Sequence, residues 1–388
     1  MLASLPGLAA LLALLFTWMQ VTQTSKELAI SEQGQITNRF NAAINNLGSA
    51  SLDLRLGGIY ALERIMHDSA RDQPTVISVL SAYLRQHAST PVGGAKRAPA
   101  ESGDPPSPRA DVQAVMTALG HRRVDRDQGT PVDLNHTALR GVQLASESSV
   151  IQLRWANLSK ADLSNSTLSN VDLRNSSLDE ANLSGATLTA SRLDRASLWR
   201  ADLSYADLSD SHLSGATLSG ANLTGTFFCG DVFFQPAQGT RGAPAASLDR
   251  IRPVGQVEEE GTATDHDCAD LTEADLTNAN LTNASLFGMN LTKTTFCLEE
   301  DSPSPFNSGC ASMAGALLGE SNLRGVYLPR ANLKGADLAD ADLTGADLSH
   351  ADLTTADLTH ANLTGAKVTG AEFEGAKLTG VRGLSQSH

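Results

Sequence analysis

The sequence predicts a mainly β solenoid, carried by its last two thirds and preceded by helices. Three observations predict it. From Leu153 a leucine recurs every five residues, through Leu158, Leu163 and Leu168 to Leu223, and the series resumes from Leu271 and again from Leu318. Two positions earlier stands a small residue, as at Ala156, Ala161, Ala181, Ala186, Ala201 and Ala206. Aromatic residues make up only 4% of the 388-residue chain, too few for an ordinary globular core, so leucine and alanine must fill the interior. A period of five matches neither an α-helix at about 3.6 nor a strand at about 2. It fits a chain that turns a corner every five residues and sends one large and one small side chain inward from each side.

Residues 1–23 are expected to form a membrane anchor. Residues 2–21 read LASLPGLAALLALLFTWMQV, without a charge, and Trp18 suits the membrane–water interface. At a rise of about 1.5 Å per residue the run matches a hydrocarbon layer of about 30 Å. A cleaved signal peptide is the rival, but no basic segment precedes the run and no small-residue cleavage site follows it. Lys26 and Arg39 after the span favour a single-pass protein with its larger part in the cytoplasm.

Residues 24–87 read as helical. Ile36, Phe40, Ala43, Ile44 and Leu47 recur at helical spacing, as do Leu56, Ile59, Leu62, Ile65 and Met66. Pro74 opens a third stripe of Val76, Ile77, Leu80, Tyr83 and Leu84. The short amphipathic helices around LRLGGIYALERI look armadillo- or HEAT-like, a design used for protein contacts. Capping the first solenoid coil is an equal use for them. Residues 88–130 form a linker rich in Pro, Gly and Ser with one short helix, VQAVMTALG, given Asp111 as N-cap and Gly120 as stop.

Residues 131–388 hold the repeat, of the form A-[D/N]-L-x-x in over thirty units. This pattern resembles the pentapeptide-repeat family, and the juxtamembrane segment resembles that of its bacterial membrane-anchored members. The resemblance implies a right-handed quadrilateral β-helix, with four units to a coil. Leu158, Leu163, Leu203, Leu208, Leu333, Leu338, Leu343 and Leu348 would then fill the interior. Roughly ten coils, about 4.8 Å apart, make a rod about 45–50 Å long. Twenty residues per coil stacks Asp162, Asn182, Asp202 and Asn222 in one column and Asn322, Asp342 and Asn362 in another. Such alternation keeps like charges apart.

Two insertions, at 234–268 and 297–312, interrupt the array. The first is rich in Pro and Gly and carries Glu258, Glu259 and Glu260. Cys229 and Cys268 flank one, Cys297 and Cys310 the other. Bridged, they point to an extracytoplasmic, oxidising location; free, they pack as small apolar residues.

Charge is uneven. Residues 1–130 hold 12 Lys and Arg against 11 Asp and Glu, and residues 131–388 hold 17 against 32. Nucleic acid is an unlikely ligand for so acidic a repeat. No phosphate loop, dinucleotide fingerprint, zinc-protease motif or nucleophile elbow occurs, so the chain reads as no enzyme, with no cofactor, no metal and no catalytic residue. The expected function is a membrane-tethered, non-enzymatic scaffold for a protein partner that the sequence does not identify. The alternative, implied by resemblance to family members that bind gyrase, is an acidic DNA-mimic regulator.

Overall fold

The computed structural model describes residues 5–89, 108–145, 150–229, 268–297 and 310–384; the side chains of 5–13 and 24–33 fall outside it. Four helices come first, α1 (Leu5–Leu47), α2 (Leu52–Asp68), α3 (Gln73–His87) and α4 (Ala110–Gly120). A 3-10 turn, Val124–Arg126, leads to the repeats, in which two short parallel strands, β1 (Ile151–Gln152) and β2 (Val171–Asp172), are paired. The apolar stripes pack the helices together: Ala43 and Leu47 of α1, Ile59, Leu62 and Ile65 of α2, Val76, Ile77 and Leu80 of α3 are all buried. Gly58 lets α1 and α2 approach, since a Cβ there would sit 2.8 Å from the Ala43 carbonyl oxygen.

Among the described residues no helix is long and apolar enough to cross a membrane. That overturns the expected single-pass membrane localisation, the transmembrane helix, the anchor through residues 2–21 and the cytoplasmic or extracytoplasmic placement built on it. The apolar run does not stand alone but continues into one 43-residue helix. Residues 2–4 lie outside the described residues.

In the repeats, one unit shows why the sequence has its form. Over residues 161–165 every backbone N–H finds an acceptor. Ala161 donates to Leu158 O at 3.0 Å, closing the corner, and Asp162 to Thr137 O of the coil before at 2.8 Å. Leu163 donates to Asn182 O of the coil after at 2.7 Å, and Asn165 to Ser184 O at 2.9 Å. The remaining N–H, of Ser164, is taken by the Asp162 carboxylate at 3.1 Å. The Asp or Asn before each leucine thus supplies the acceptor that the corner backbone lacks, an Asx turn repeated along the rod. Each unit's last residue takes left-handed φ, as at Lys160 (59°), Asn165 (55°), Asn170 (59°) and Gly185 (63°). Left-handed backbone costs an ordinary residue about 1–2 kcal/mol, hence the many Gly, Asn and Asp at that place.

Bridges between residues twenty apart, with corners every five, make each coil four-sided. Four columns run along the rod, begun by Asp133, Ala138, Gln143 and Gln152. The helical base meets all four. Arg85 holds the Asp133 carbonyl and carboxylate at 2.5 and 3.0 Å, and Ser89 pairs antiparallel with Thr137 beside Ala138. The Gln113 amide donates to Gln143 O at 2.7 Å and accepts from its N–H at 2.9 Å, imitating a strand. Arg122 donates to Gln152 O. An otherwise open β edge is closed by one group per side. Among the described residues the far end shows no equivalent: Leu378 is 41% exposed, although Val381 and Leu384 pack against the core.

Candidate functional site

Both cysteine pairs are joined, Cys229 to Cys268 and Cys297 to Cys310, with Cα atoms 3.9 and 4.2 Å apart. Consecutive residues in a chain lie about 3.8 Å apart. Each bridge therefore stands where a peptide link would otherwise run. Phe228 and Phe296 occupy leucine positions, Cys229 and Cys297 follow them, and Cys268 and Cys310 hold the corner place before Ala269 and Ala311. The corner hydrogen bond persists across both insertions, Ala269 N–H to Phe228 O at 2.6 Å and Ala311 N–H to Phe296 O at 2.8 Å. Register agrees. His212 bridges Asp270, and Asn290 bridges Asn322. The excess over twenty residues equals residues 230–267 in one case and 298–309 in the other. The insertions leave from diagonally opposite corners; Phe233 and most of both insertions lie outside the described residues.

Leu158, Leu163, Leu203, Leu208, Leu333, Leu338, Leu343 and Leu348 all point into the rod, fully shielded from solvent. Outward, the Asp/Asn columns are hydrogen-bonded ladders. Asn182 Nδ2 donates to Asp162 at 3.2 Å, Asn222 Nδ2 to Asp202 at 2.9 Å and Asn362 Nδ2 to Asp342 at 3.4 Å. Elsewhere a cation is stacked on the acid: Arg324 on Asp342 at 2.9 Å, Lys367 on Asp347 at 3.1 Å, Lys377 on Asp357 at 2.8 Å. Burial alone would raise these three carboxyls. Corner hydrogen bonds and the stacked cation instead hold each below the usual carboxylate range.

A buried polar cluster in the base escaped the sequence reading. Asp111 is no N-cap: Arg109 takes that place, and Asp111 turns inward from the first turn of α4. Its fully buried carboxylate accepts from Arg55 at 2.9 Å, Arg109 at 2.7 Å and the Tyr83 hydroxyl at 2.7 Å. Burial opposes ionisation of Asp111, yet those three donors outweigh it and bring its pKa to about 2. Tyr83 is pushed up to about 12 by burial and by the Asp111 charge beside it. Arg122 and Asp127 make a second buried pair at 3.1 Å, with Gln73 donating to Asp127 at 2.6 Å. Burial pushes Asp127 up and Arg122 down, and their attraction works against both. No sequence spacing links Arg55 with Asp111, because tertiary packing alone brings them together.

Among the described residues no group of three or more His, Cys, Asp or Glu is placed to hold a metal. His350 and His360 stand at exposed corners. A cleft of about 310 Å³ between α2 and α4 is lined by Tyr60 and the single carboxylate Glu63, with mostly apolar neighbours. A second, of about 170 Å³, lies beside Arg154 and Asp127. Neither brings a nucleophile to a base. On the rod, Arg154 lies over the Trp155 ring at 4.2 Å and Arg200 over the Trp199 ring at 4.5 Å.

The family description "Pentapeptide repeats" matches in eight copies, over residues 156–195, 191–230, 263–296, 311–349 and 341–380. No curated protein matches the chain. Among solved structures, the chain is similar to HetL, a pentapeptide repeat protein involved in heterocyst differentiation regulation in the cyanobacterium Nostoc. That match has 28% identity over 59% of this chain and 84% of that one, with a TM-score of 0.23. QnrB1, a plasmid-mediated fluoroquinolone resistance protein, matches at 17% identity over 61% and 86%, with a TM-score of 0.25. A pentapeptide repeat protein of the Arabidopsis thaliana thylakoid lumen matches at 24% identity over 47% and 70%, with a TM-score of 0.17.

Proposed function

This chain is a pentapeptide-repeat protein, and from that premise we propose that it is a non-enzymatic scaffold whose two corner insertions make the contacts to a protein partner. The family's solenoid is a protein-interaction fold. One observation carries the specific reading: residues 230–267 and 298–309 are set into the rod without disturbing its register, each clamped at its root by a disulfide. A segment that leaves the register of the rod intact and is fixed at both ends suits display. In this reading residues 24–87 are the helical base, 88–130 join base to rod, and 131–388 form the rod, wound right-handed.

The DNA-mimic alternative draws less support. Its acids are divided among four sides, alternate with Asn, and are met by Arg324, Lys367 and Lys377 where they accumulate.

The test compares the intact chain with one lacking residues 230–267 and 298–309 as bait in an extract of the source organism. A partner retained by the intact chain and lost with the insertions supports the proposal. Equal retention by both would overturn it.

A further inference from the structure

We propose that one side of the rod near its base, between residues 154 and 220, is a docking plate for an extended acidic polypeptide segment that also carries apolar side chains. Its floor is the column Asn157, Ser177, Ser197 and Thr217, small and polar. One bordering corner carries Trp155, Asn175, Arg195 and Gly215 in successive coils, and the other carries Lys160, Glu180, Arg200 and Gly220, with Trp199 beside Arg200.

Charge identifies the partner. The plate's acids are already engaged. Glu180 faces Lys160 at 3.6 Å, and Asp172 faces Arg174 at 2.5 Å. Asp194 faces Arg192 at 3.7 Å, and Asp179 accepts the Trp199 N–H at 3.2 Å. Arg195 and Arg200, at the two edges of the same coil, are exposed and meet no carboxylate among the described residues. Gly215 and Gly220 stand above them, where a Cβ would come within 3.5 and 3.3 Å of the arginine stems, so no side chain covers either. The net charge of the chain is −14. A basic partner is therefore attracted along the whole rod, whereas an acidic one finds its opposite charge here.

The aromatics narrow the class further. Trp155 is 53% and Trp199 38% exposed, each with an arginine on its ring. Trp and Arg are the residue types that dominate binding energy at protein interfaces. A nucleic acid brings a phosphate at every step, more charge than the two exposed arginines, Arg195 and Arg200, can meet. A polypeptide can space its carboxylates to reach Arg195 and Arg200 and lay apolar side chains on Trp199, beside Arg200, and on Trp155, two coils from Arg195 on the same corner.

The chain has three tryptophans, so in a Trp18→Phe variant the emission comes from the plate alone. The full-length variant is titrated with a peptide of about twelve residues alternating glutamate and leucine. Controls are the lysine–leucine peptide and a thymidine oligonucleotide of equal charge. Expected are a saturable change in emission with the glutamate peptide that weakens with salt, and no such change with either control. Arg195→Gln with Arg200→Gln, read by the same emission, and Trp155→Ala with Trp199→Ala, read by the anisotropy of a dye-labelled glutamate peptide because that variant has no tryptophan left, should each weaken binding by about tenfold or more at an unchanged melting temperature. No saturable binding of the glutamate peptide, equal binding by the arginine variant, or tighter binding of the oligonucleotide would each overturn the proposal. The disulfides that root the insertions lie outside residues 154–220, so a plate that fails leaves the insertions' role untouched.

Discussion

Gly225 stands at a corner with φ of 65°, and the Tyr205 ring of the coil before lies flat where its side chain would be, 2.7 Å from an added Cβ. Two costs coincide there, left-handed backbone and displacement of an aromatic ring. Gly225→Ala should lose about 1–2 kcal/mol, read from the urea midpoint, and part should return in a Tyr205→Ala background. Full additivity of the two changes would remove the ring contact from the explanation. Asp111 gives a pH prediction. Its folded pKa of about 2 lies below its unfolded value, so its stabilisation is present above about pH 4 and lost as pH falls towards 2. Tyr83, at about 12, lies above its unfolded value, so its contribution is complete below about pH 10 and lost as pH rises towards 12. Melting of the base followed against pH, with Asp111→Asn as reference, should show the acid loss in the parent and a flatter curve in the variant.

The elements differ in what holds them. The base is joined to the first coil by a few side chains; Arg122, buried and fixed within the base by Leu119 O and Asp127, reaches the coil at Gln152 O. Removing one partner of a buried ion pair costs about 3–5 kcal/mol. Arg122→Ala should therefore expose the first coil to hydrogen exchange before the middle of the rod, and uniform loss along the rod would contradict a cap. The insertions behave differently. Their bridges close sequence separations of 39 and 13 residues, for which chain entropy gives about 3–4 kcal/mol each. Reduction should destabilise the intact chain by that order. A chain lacking residues 230–267, with the corner rejoined and Cys229 and Cys268 replaced by serine, should melt near the oxidised parent. If it does not fold, the insertion is part of the rod and not a graft.

At the scale of the molecule the rod is asymmetric. Its first coil is met on four sides by the base, while among the described residues its last coil pairs only with the coil before it, with Leu378 41% exposed. In a solenoid each coil depends on its neighbours, so stability should fall from the middle of the rod towards residues 363–384. Exchange protection is expected to be lowest at residues 363–384 among the described repeats and highest near residues 181–223. A Leu338→Ala substitution, which empties a leucine position of the interior, should cost about 2–5 kcal/mol and lower protection in the coils beyond it more than in those before it. Equal loss on both sides would argue that the rod melts as a single unit.

The five-residue period was legible in the chain without coordinates, because each leucine and each Asp or Asn answers a demand made inside its own unit. The interior positions and the stacked Asp–Asn columns follow from that period by counting in twenties. Hydropathy alone reads residues 2–21 as a membrane span, whereas among the described residues no helix is long and apolar enough to cross a membrane. What only the tertiary structure decided are the pairings between distant parts of the chain. The joined cysteines, the Arg55–Asp111–Tyr83 cluster and the four-sided cap of the solenoid depend on where the chain returns after a linker or an insertion. A local period carries no record of that return, since its energy is settled by packing between segments and not within them.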